Sequence, residues 1–244
     1  MILMGFDMET TGLDFQNDRP IEVGAILYST GQKRTMESTG FLVKTDVAIS
    51  SFITGLTGLT QAAVNKFGYD SFDALDIVID MMKEAEAIVG QNVIRFDKHM
   101  LGAWASRHGR TDPEKLWIDT RTDLTGEESK GLTYMAADHG FLNLFPHGAL
   151  TDVQTCLKIV SMYDIDAVVA RAKEPIVILK AHTGFKDSGL PDNALAKARK
   201  FGWNPTYRLW YKVVKQSDVA AETSHGEFDV SFVTDIPVEK LWYS

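Results

Sequence analysis

The sequence predicts a mixed α/β domain followed by a small α+β module. Two strand-like segments near the N-terminus, Met1–Phe6 and Ile21–Tyr28, are joined by a loop punctuated by Gly, Thr and Asp. Further along the chain, helix-like and strand-like patterns alternate, as is typical of a sheet flanked by helices. The alternation breaks at a Lys-Glu-Pro segment just after residue 172. We therefore predict one domain over residues 1–172 and a smaller module over residues 173–244.

The first domain is predicted to begin with three strands. Met1–Phe6 is a near-continuous apolar run, as expected of a central strand that is buried on both faces. Ile21–Tyr28 and a strand that includes Thr39–Val43 follow. Because the loop between the first two strands is rich in turn residues, we expect these two strands to be antiparallel neighbours.

Helices and short strands are predicted to alternate after residue 70. A helix begins at Ser71, with apolar residues at the spacing of one helical face. These residues are Phe72, Leu75, Ile79 and Met82. The further predicted elements are the strand Ala87–Val89, a helix that opens at Asp97 and stops at Gly109, the strand Leu116–Ile118, and the helices Leu132–His139 and Leu150–Met162.

The second module is predicted to combine two strands with one helix. The helical pattern ends at a glycine, and a turn precedes the second strand. The predicted elements are the strand Ile176–Ala181, the helix Asn193–Phe201, the turn Trp203–Tyr207 and the strand Arg208–Val214. Residues 216–229 are polar and turn-rich, and the tail to Ser244 carries no usable pattern.

The composition excludes several classes of protein. With 45% hydrophobic and 24% charged residues, 7 Pro and 19 Gly, the 244-residue chain is neither fibrous nor disordered. Cys156 is its single cysteine, so we expect a reducing compartment, a core position for this thiol, and oxygen and nitrogen ligands for any metal. No apolar run reaches the length of a membrane span and the N-terminus lacks the basic flank of a signal peptide, so we expect a cytoplasmic protein without a membrane partner.

The net charge of −8 is unevenly distributed. Residues 173–215 contain nine Lys/Arg and three Asp/Glu, whereas the rest of the chain is acidic. This split predicts an acidic body joined to a basic module that attracts a polyanion.

Several acidic residues follow predicted strands or open predicted helices. Asp7 and Glu9 alternate at a strand end, where residues i and i+2 point to the same face. Asp97 and Asp152 lie at helix starts, and His147 directly precedes the second of these helices. Taken singly, each residue also fits a solvated strand end or a first-turn acid that complements the helix dipole.

Together these residues describe a different kind of site. Four carboxylates without cysteine are the hard oxygen ligands that Mg²⁺ or Mn²⁺ prefers. Two such ions about 3.5–4 Å apart suit in-line phosphoryl chemistry, and a histidine is the natural base for the attacking water. The turn after the first strand, Thr10-Thr11-Gly12, offers hydroxyl and N–H groups that could hold a phosphate or a sugar.

The chain resembles the DnaQ-like exonucleases of the DEDDh type over roughly residues 1–165. The resemblance rests on Asp7-Met8-Glu9-Thr10-Thr11-Gly12-Leu13, on Asn92 through Phe96-Asp97, and on His147-Gly148-Ala149-Leu150-Thr151-Asp152. Two positions depart from the commonest family pattern. Asn92 lies one residue further from Asp97, and Thr57 stands where the family often has histidine.

The resemblance implies a ribonuclease H-like fold and removal of nucleoside monophosphates from a 3′ end. It implies that Asp7, Glu9, Asp97 and Asp152 bind two divalent ions and that His147 is the general base. The substrate-binding residues that it implies are Met8, Thr10, Thr11, Gly12, Leu13 and Phe96, with Leu13 wedged against the last base and packing beneath Asp97 the favoured role of Phe96.

The second module is similar to a small W-N-P…W-Y module that is sometimes appended to nucleases. Packing of a miniature core is the favoured role of its tryptophans. In the alternative, exposed rings stack unpaired bases while cations contact the phosphate backbone. The residues predicted for that contact are Lys197, Arg199, Lys200, Trp203, Arg208, Trp210 and Lys212.

We therefore predict a metal-dependent 3′–5′ exonuclease that hydrolyses single-stranded or frayed 3′ ends of DNA to nucleoside 5′-monophosphates. A 3′–5′ exoribonuclease is the alternative within the same class, because the site chemistry requires no particular sugar. A catalytically silent nucleic-acid-binding subunit and a proofreading subunit attached to a DNA polymerase are the remaining alternatives.

Overall fold

A computed structural model describes residues 1–126, 131–183, 193–237 and 240–241. The chain folds as two compact units, Met1–Ala172 and Lys173–Ser244. Among the described residues, no helix combines the length and the apolar character that a membrane crossing requires.

The first unit is built on a five-stranded mixed sheet in the order β3-β2-β1-β4-β5. Its strands are β1 (Ile2–Thr10), β2 (Pro20–Ser29), β3 (Arg34–Leu42), β4 (Ala87–Gly90) and β5 (Leu116–Asp119). The central strand β1 is antiparallel to β2, as predicted, and parallel to β4. It continues past the apolar run because Asp7 and Glu9 remain paired with Gly24 and Glu22 of β2.

Helices pack around this sheet. They are α1 (Ser51–Thr57), α2 (Gln61–Phe67), α3 (Ser71–Glu84), α4 (Asp97–Arg107), α5 (Leu132–Asp138), α6 (Ala149–Val160) and α7 (Ile165–Ala172). The sequence did not predict α1, α2 or α7. The first of these buries no residue and the second buries only Val64, so neither carries an apolar stripe that a pattern search detects.

The core lies on both faces of the sheet, as the apolar run of β1 predicts. Met4 and Phe6 pack with residues of α3 and α4, whereas Leu3 packs with residues of α5 and α6 on the other face. Cys156 is buried in this second cluster. Phe72 of the predicted α3 stripe is exposed instead.

Helix α6 lies unusually close to the sheet. A Cβ atom on Gly24 would come within 2.4 Å of the Ala149 carbonyl carbon, and one on Gly5 within 2.6 Å of Val153 Cγ1. Real Cβ atoms do not approach other atoms this closely, so only glycine permits the contact. The start of α6 is therefore held directly over β1 and β2.

The second unit contains a four-stranded sheet in the order β7-β8-β6-β9. Its elements are β6 (Ile176–His182), α8 (Ala194–Ala198), β7 (Gly202–Asn204), β8 (Leu209–Lys215), α9 (Val219–Thr223) and β9 (Asp229–Phe232). The turn predicted over Trp203–Tyr207 begins only at Pro205, because Trp203 and Asn204 lie in β7 and pair with Trp210 and Leu209 of β8. The turn-rich segment 216–229 also contains α9 and the start of β9, which pairs with β6.

Candidate active site

Asp7 and Glu9 project from the same face of β1 at the edge where β1 leaves the core. Burial, reinforced by the Asp152 and Glu22 carboxylates, raises the pKa of Asp7 to about 8. Burial and the neighbouring Asp7, Glu22 and Asp152 carboxylates raise the pKa of Glu9 to about 9. Both carboxylates thus lie in a half-buried site of concentrated negative charge.

Asp97 begins α4 and reaches back to β1. Its Oδ1 accepts a hydrogen bond from the Met8 N–H at 3.0 Å, and its exposed fraction is 3%. Burial, followed by the charge of Asp7, raises its pKa well above the usual range. The chain therefore brings a third carboxylate, distant in sequence, against the other two.

Asp152 lies in the first turn of α6, where N–H groups hold both of its oxygens. Asn143 Nδ2 donates to Oδ1 at 2.6 Å, and the His147 N–H donates to Oδ2 at 3.1 Å. Burial raises the pKa of Asp152, and these two hydrogen bonds oppose that rise. The carboxylate is therefore oriented by its surroundings.

His147 is brought beside Glu9 and Asp152. One side-chain ligand atom from each of these three residues lies within 4.8 Å of the others. His147 is exposed and adopts a left-handed backbone with φ of 65°, which costs a non-glycine residue energy and is common at functional sites. The structure thus brings the five predicted residues together. His147, Glu9 and Asp152 are close by distance, Asp7 acts electrostatically on both Glu9 and Asp97, and Asp97 accepts from the Met8 N–H.

Sequence reasoning missed two polar residues of this site. Glu22 of β2 lies directly opposite Glu9 of β1, and its Oε2 accepts from the Ala149 N–H at 3.1 Å. Asn143 is buried and binds Asp152. Only the register of the first two strands could have pointed to Glu22, and no local pattern marks Asn143.

The turn after β1 divides into inward and outward residues. The Thr10 hydroxyl donates to the Gly12 carbonyl at 2.6 Å, and the Thr11 hydroxyl donates to Asp18 Oδ1 at 2.7 Å. These two buried hydroxyls hold the turn itself. Leu13 is 80% exposed, so its side chain is accessible for contact with a ligand.

Met8 and Phe96, both predicted to contact the substrate, pack with the core of the first unit. The Met8 side chain is only 4% exposed and packs in the core, so a side-chain contact with substrate is wrong for this residue. Its N–H holds Asp97 instead. Phe96 packs against the core and lies 5.8 Å from the Phe15 ring, in agreement with the packing role favoured for it.

Asn92, the position at which the family pattern lengthens, holds the loop between β4 and α4. Its backbone is left-handed with φ of 60°, and its N–H donates to Asp119 Oδ1 at 2.9 Å. Its side-chain oxygen accepts from Arg121 at 3.2 Å. Asn92 thus ties the loop that leads to Asp97 to the end of β5.

The donor set fits divalent cations. Asp7, Glu9, Asp97 and Asp152 share raised pKa values, and within the described ranges none of them forms an ion pair with Lys or Arg. Anions gathered in a half-buried site repel one another unless a cation lies between them. Carboxylate oxygens are the ligands of Mg²⁺ and Mn²⁺.

Two of the predicted phosphate contacts in the second unit are engaged internally. Arg199 Nη2 binds Glu222 Oε2 at 2.8 Å and its side chain is 8% exposed. Lys212 binds the other oxygen of Glu222. Their partner comes from residues 216–244, which contain six acidic residues and one basic residue, so a phosphate contact by Arg199 or Lys212 would compete with Glu222 and stays a prediction.

The two tryptophans of the second unit occupy different environments. Trp210 is buried in the core of the unit, as the packing role requires. Trp203 is 45% exposed and its ring lies 5.5 Å from that of Trp210. Lys197, Lys200 and Arg208 are exposed, with Lys197 Nζ lying 6.0 Å from the centre of the Trp210 ring.

The family of this chain follows from its match to a family model. The exonuclease model RNase_T matches residues 4–160, which include all five predicted catalytic residues. This chain belongs to that exonuclease family. The predicted exonuclease family and enzyme class are therefore confirmed.

Curated relatives of this exonuclease are much longer proteins. The DNA polymerase III PolC-type of Mycoplasmopsis pulmonis is 35% identical over 115 residues, which cover 47% of this chain and 8% of that protein. The corresponding protein of Thermotoga maritima is 33% identical over 115 residues, with the same coverage of 47% and 8%. The chain thus matches less than a tenth of the length of these relatives.

Solved structures share the fold of this exonuclease. The nuclease domain of 3′hExo, a DEDDh family member bound to rAMP, is 23% identical with a TM-score of 0.56, covering 66% of this chain and 90% of that one. E. coli Exonuclease I in complex with a 5cy-dT13 oligonucleotide is 14% identical with a TM-score of 0.57, covering 88% of this chain and 63% of that one. The predicted ribonuclease H-like fold is confirmed.

Proposed function

We propose that this chain is a metal-dependent 3′–5′ exonuclease that releases nucleoside 5′-monophosphates from single-stranded or frayed 3′ ends of DNA. The observation that carries the proposal is the convergence of Glu9, His147 and Asp152 within 4.8 Å, beside two further buried carboxylates. Such a cluster has no evident structural benefit, because its charges repel one another in a half-buried site.

The proposed roles follow from the chemistry of the side chains. Asp7, Glu9, Asp97 and Asp152 would hold two divalent ions. Bound Mg²⁺ or Mn²⁺ would supply activation of a water molecule and stabilisation of the departing oxygen.

His147 would act as the general base. Its exposed ring projects from the start of α6 beside the carboxylates, where it can take a proton from the attacking water. Asp152, held by Asn143 and by the His147 N–H, would keep its ligand oxygens in a single orientation during this step.

Substrate contacts would come first from the turn that follows β1. Leu13 is exposed there and would pack against the terminal base. The hydroxyls of Thr10 and Thr11 keep the turn in shape, so their proposed role is to present Leu13 and the backbone of Gly12 to the terminal nucleotide.

The second unit would add contacts to the single strand further from the cut. The exposed Trp203 ring is available for stacking, and Lys197, Lys200 and Arg208 carry positive charge on exposed side chains. Base stacking combined with phosphate contacts is the usual means by which proteins bind single strands.

DNA is the favoured substrate because the curated relatives are DNA polymerases and one similar structure holds a 5cy-dT13 oligonucleotide. Association with a DNA polymerase is part of this proposal. RNA is the second candidate, since another similar structure is a 3′-exonuclease that recognises the 3′ end of a histone mRNA stem-loop. The sugar selectivity of the site decides between them.

The test is degradation of 5′-labelled single-stranded DNA and of matched RNA with Mg²⁺, Mn²⁺ or EDTA. We expect a metal-dependent ladder that shortens from the 3′ end, faster on DNA. Asp7→Ala should abolish it, whereas Asp80→Ala, which removes an exposed carboxylate of α3, should not. A ladder that persists in Asp7→Ala or in EDTA would refute the proposal, and faster decay of the RNA would favour the second candidate.

A further inference from the structure

The N-terminus of α6 is stabilised from another element. A helix start leaves several backbone N–H groups without partners inside the helix. The residue before α6 is Gly148, which supplies no side-chain hydrogen bond to the helix start. Instead the Ala149 N–H donates to Glu22 Oε2 of β2 at 3.1 Å.

Ala149, the donor of this hydrogen bond, lies between two residues that matter for the proposed reaction. One belongs to the loop that enters α6 and the other to α6 itself. His147 lies two residues before Ala149 and Asp152 three residues after it. The His147 N–H donates to Asp152 Oδ2 at 3.1 Å, and the Asp152 N–H donates to the Gly148 carbonyl at 3.0 Å. A shift of Ala149 would therefore move both ends of this closed turn.

Strand β2 also provides the space for this contact. Two residues beyond Glu22, a Cβ atom on Gly24 would lie 2.4 Å from the Ala149 carbonyl carbon. The backbone of α6 thus approaches β2 as closely as sterics allow, with the Glu22 side chain beside the point of contact. The hydrogen bond and the close approach together set the height of the helix start above the sheet.

Glu22 occupies its position despite an electrostatic disadvantage. It is half-buried and lies directly opposite Glu9 in the register of β1 and β2. Like charges directly across a strand pair destabilise a sheet. A carboxylate at this position is therefore not explained by strand stability.

We propose that Glu22 is a positioning residue that sets the orientation of His147 and Asp152 through its hydrogen bond to the Ala149 N–H. The inference rests on the proposed function for its effect on catalysis. The side-chain oxygen of Glu22, as the hydrogen-bond acceptor, fixes this orientation, and the negative charge of Glu22 is not required. Glu22 touches neither the reacting phosphate nor the metals in this scheme.

The experiment compares three substitutions that separate the acceptor from the charge. Glu22→Gln keeps a side-chain oxygen at the same reach and removes the charge. Glu22→Asp keeps the charge but is one methylene shorter, and Glu22→Ala removes both. Glu37→Ala, on the exposed strand β3, is the matched control. The measurements are kcat and KM on single-stranded DNA, a Mg²⁺ titration, and exchange of the Ala149 amide proton followed by NMR.

We expect kcat to fall by about 10–100-fold in Glu22→Ala and Glu22→Asp, the range for lost support of a ligand residue, with KM within about threefold of the wild type. Glu22→Gln should keep kcat within about threefold, and the Ala149 amide should exchange faster only in the Ala and Asp variants. If Glu22→Asp retained activity while Glu22→Gln lost it together with Mg²⁺ affinity, charge would be the agent and the proposal would be wrong.

Two further outcomes keep this test independent of the proposed function. An inactive wild type would refute the exonuclease proposal, whereas Ala149 amide exchange would still report whether Glu22 holds the helix start. If Glu22→Ala fails to fold, the Gln and Asp variants carry the comparison. Equal amide protection in all folded variants would overturn the positioning role.

Discussion

The two units of this protein differ in whether their buried charged side chains have partners of opposite charge. At the carboxyl end of β1, Asp7, Glu9, Asp97 and Asp152 gather in a half-buried site, where burial raises all four pKa values and neighbouring carboxylates raise those of Asp7, Glu9 and Asp97 further. In the second unit, Glu222 lies between Arg199 and Lys212 and binds both. The carboxylates of the first unit are therefore arranged to bind a ligand, whereas the ion pairs of the second unit stabilise its fold.

Buried charge normally requires a partner, because removing an ion from water costs several kcal/mol. Glu222 meets that requirement within its own unit. The β1 cluster meets it only by keeping protons or by binding cations, and strongly raised pKa values of this kind are typical of functional sites. The following predictions test this comparison.

His147→Ala should have the largest effect on the reaction. Loss of a general base should slow the chemical step by roughly 10²–10⁴-fold, while the four carboxylates still bind metal. Single-turnover rates and a Mg²⁺ titration measure the two effects. Equal losses of rate and metal affinity would identify His147 as a ligand and would enlarge the metal cluster by one residue.

Glu222→Ala should destabilise the second unit, because it removes the ion-pair partner of Arg199 and Lys212. We expect a loss of roughly 2–3 kcal/mol in the free energy of unfolding, somewhat below the range for a fully buried pair. Nucleic acid binding should become tighter and more salt-dependent, because Arg199 and Lys212 lose their internal partner. Urea unfolding and binding isotherms at several salt concentrations test this, with Glu227→Ala as the control for an exposed acid. Unchanged stability would show that the ion pairs do not hold the unit.

The metal-free β1 cluster should make stability depend on pH. The folded-state pKa values of Asp7 and Glu9, about 8 and about 9, lie above the ordinary values of 3.8 and 4.5. The folded state therefore keeps protons that the unfolded state releases, so these two groups contribute most to stability below about pH 4 and lose that contribution as the pH rises to about 9.

We expect that loss to be several kcal/mol between pH 5 and pH 9 without metal, since each pKa unit of difference corresponds to about 1.4 kcal/mol. Mg²⁺ should stabilise the protein increasingly over the same window, since metal competes with the protons. Asp7→Asn should flatten the metal-free profile. Thermal unfolding in EDTA and in Mg²⁺ gives both curves, and a metal-free stability that rises with pH would contradict the raised pKa values.

Trp203→Ala should have the smallest effect. Its ring is half exposed, so we expect little change in stability and a loss of about 1 kcal/mol in single-strand affinity, the lower end for one stacked base. Trp210→Ala is the matched comparison: its buried ring should contribute about 3–5 kcal/mol to stability. If Trp203→Ala leaves affinity unchanged, the exposed ring has no stacking role.

The sequence by itself determined the central strand and the order of the motifs. The apolar run that begins at Met1 predicted a strand buried on both faces, and Leu3 and Met4 do pack on opposite faces. The motifs that contain Asp7, Asp97 and Asp152, taken in order, resemble those of an exonuclease family, and an exonuclease family model matches the chain. Such signals are local, because periodicity and motif spacing depend on neighbouring residues in the chain.

Only the tertiary structure decided which partners the side chains have. Glu22 joins the site through the register of β1 and β2, and Asn143 through the packing of the loop before α6. Arg199 and Lys212 belong to a basic segment in the sequence, yet both pair with a single acid from α9, Glu222. These contacts join residues far apart in the chain, and no local pattern records which distant side chain packing will bring into contact.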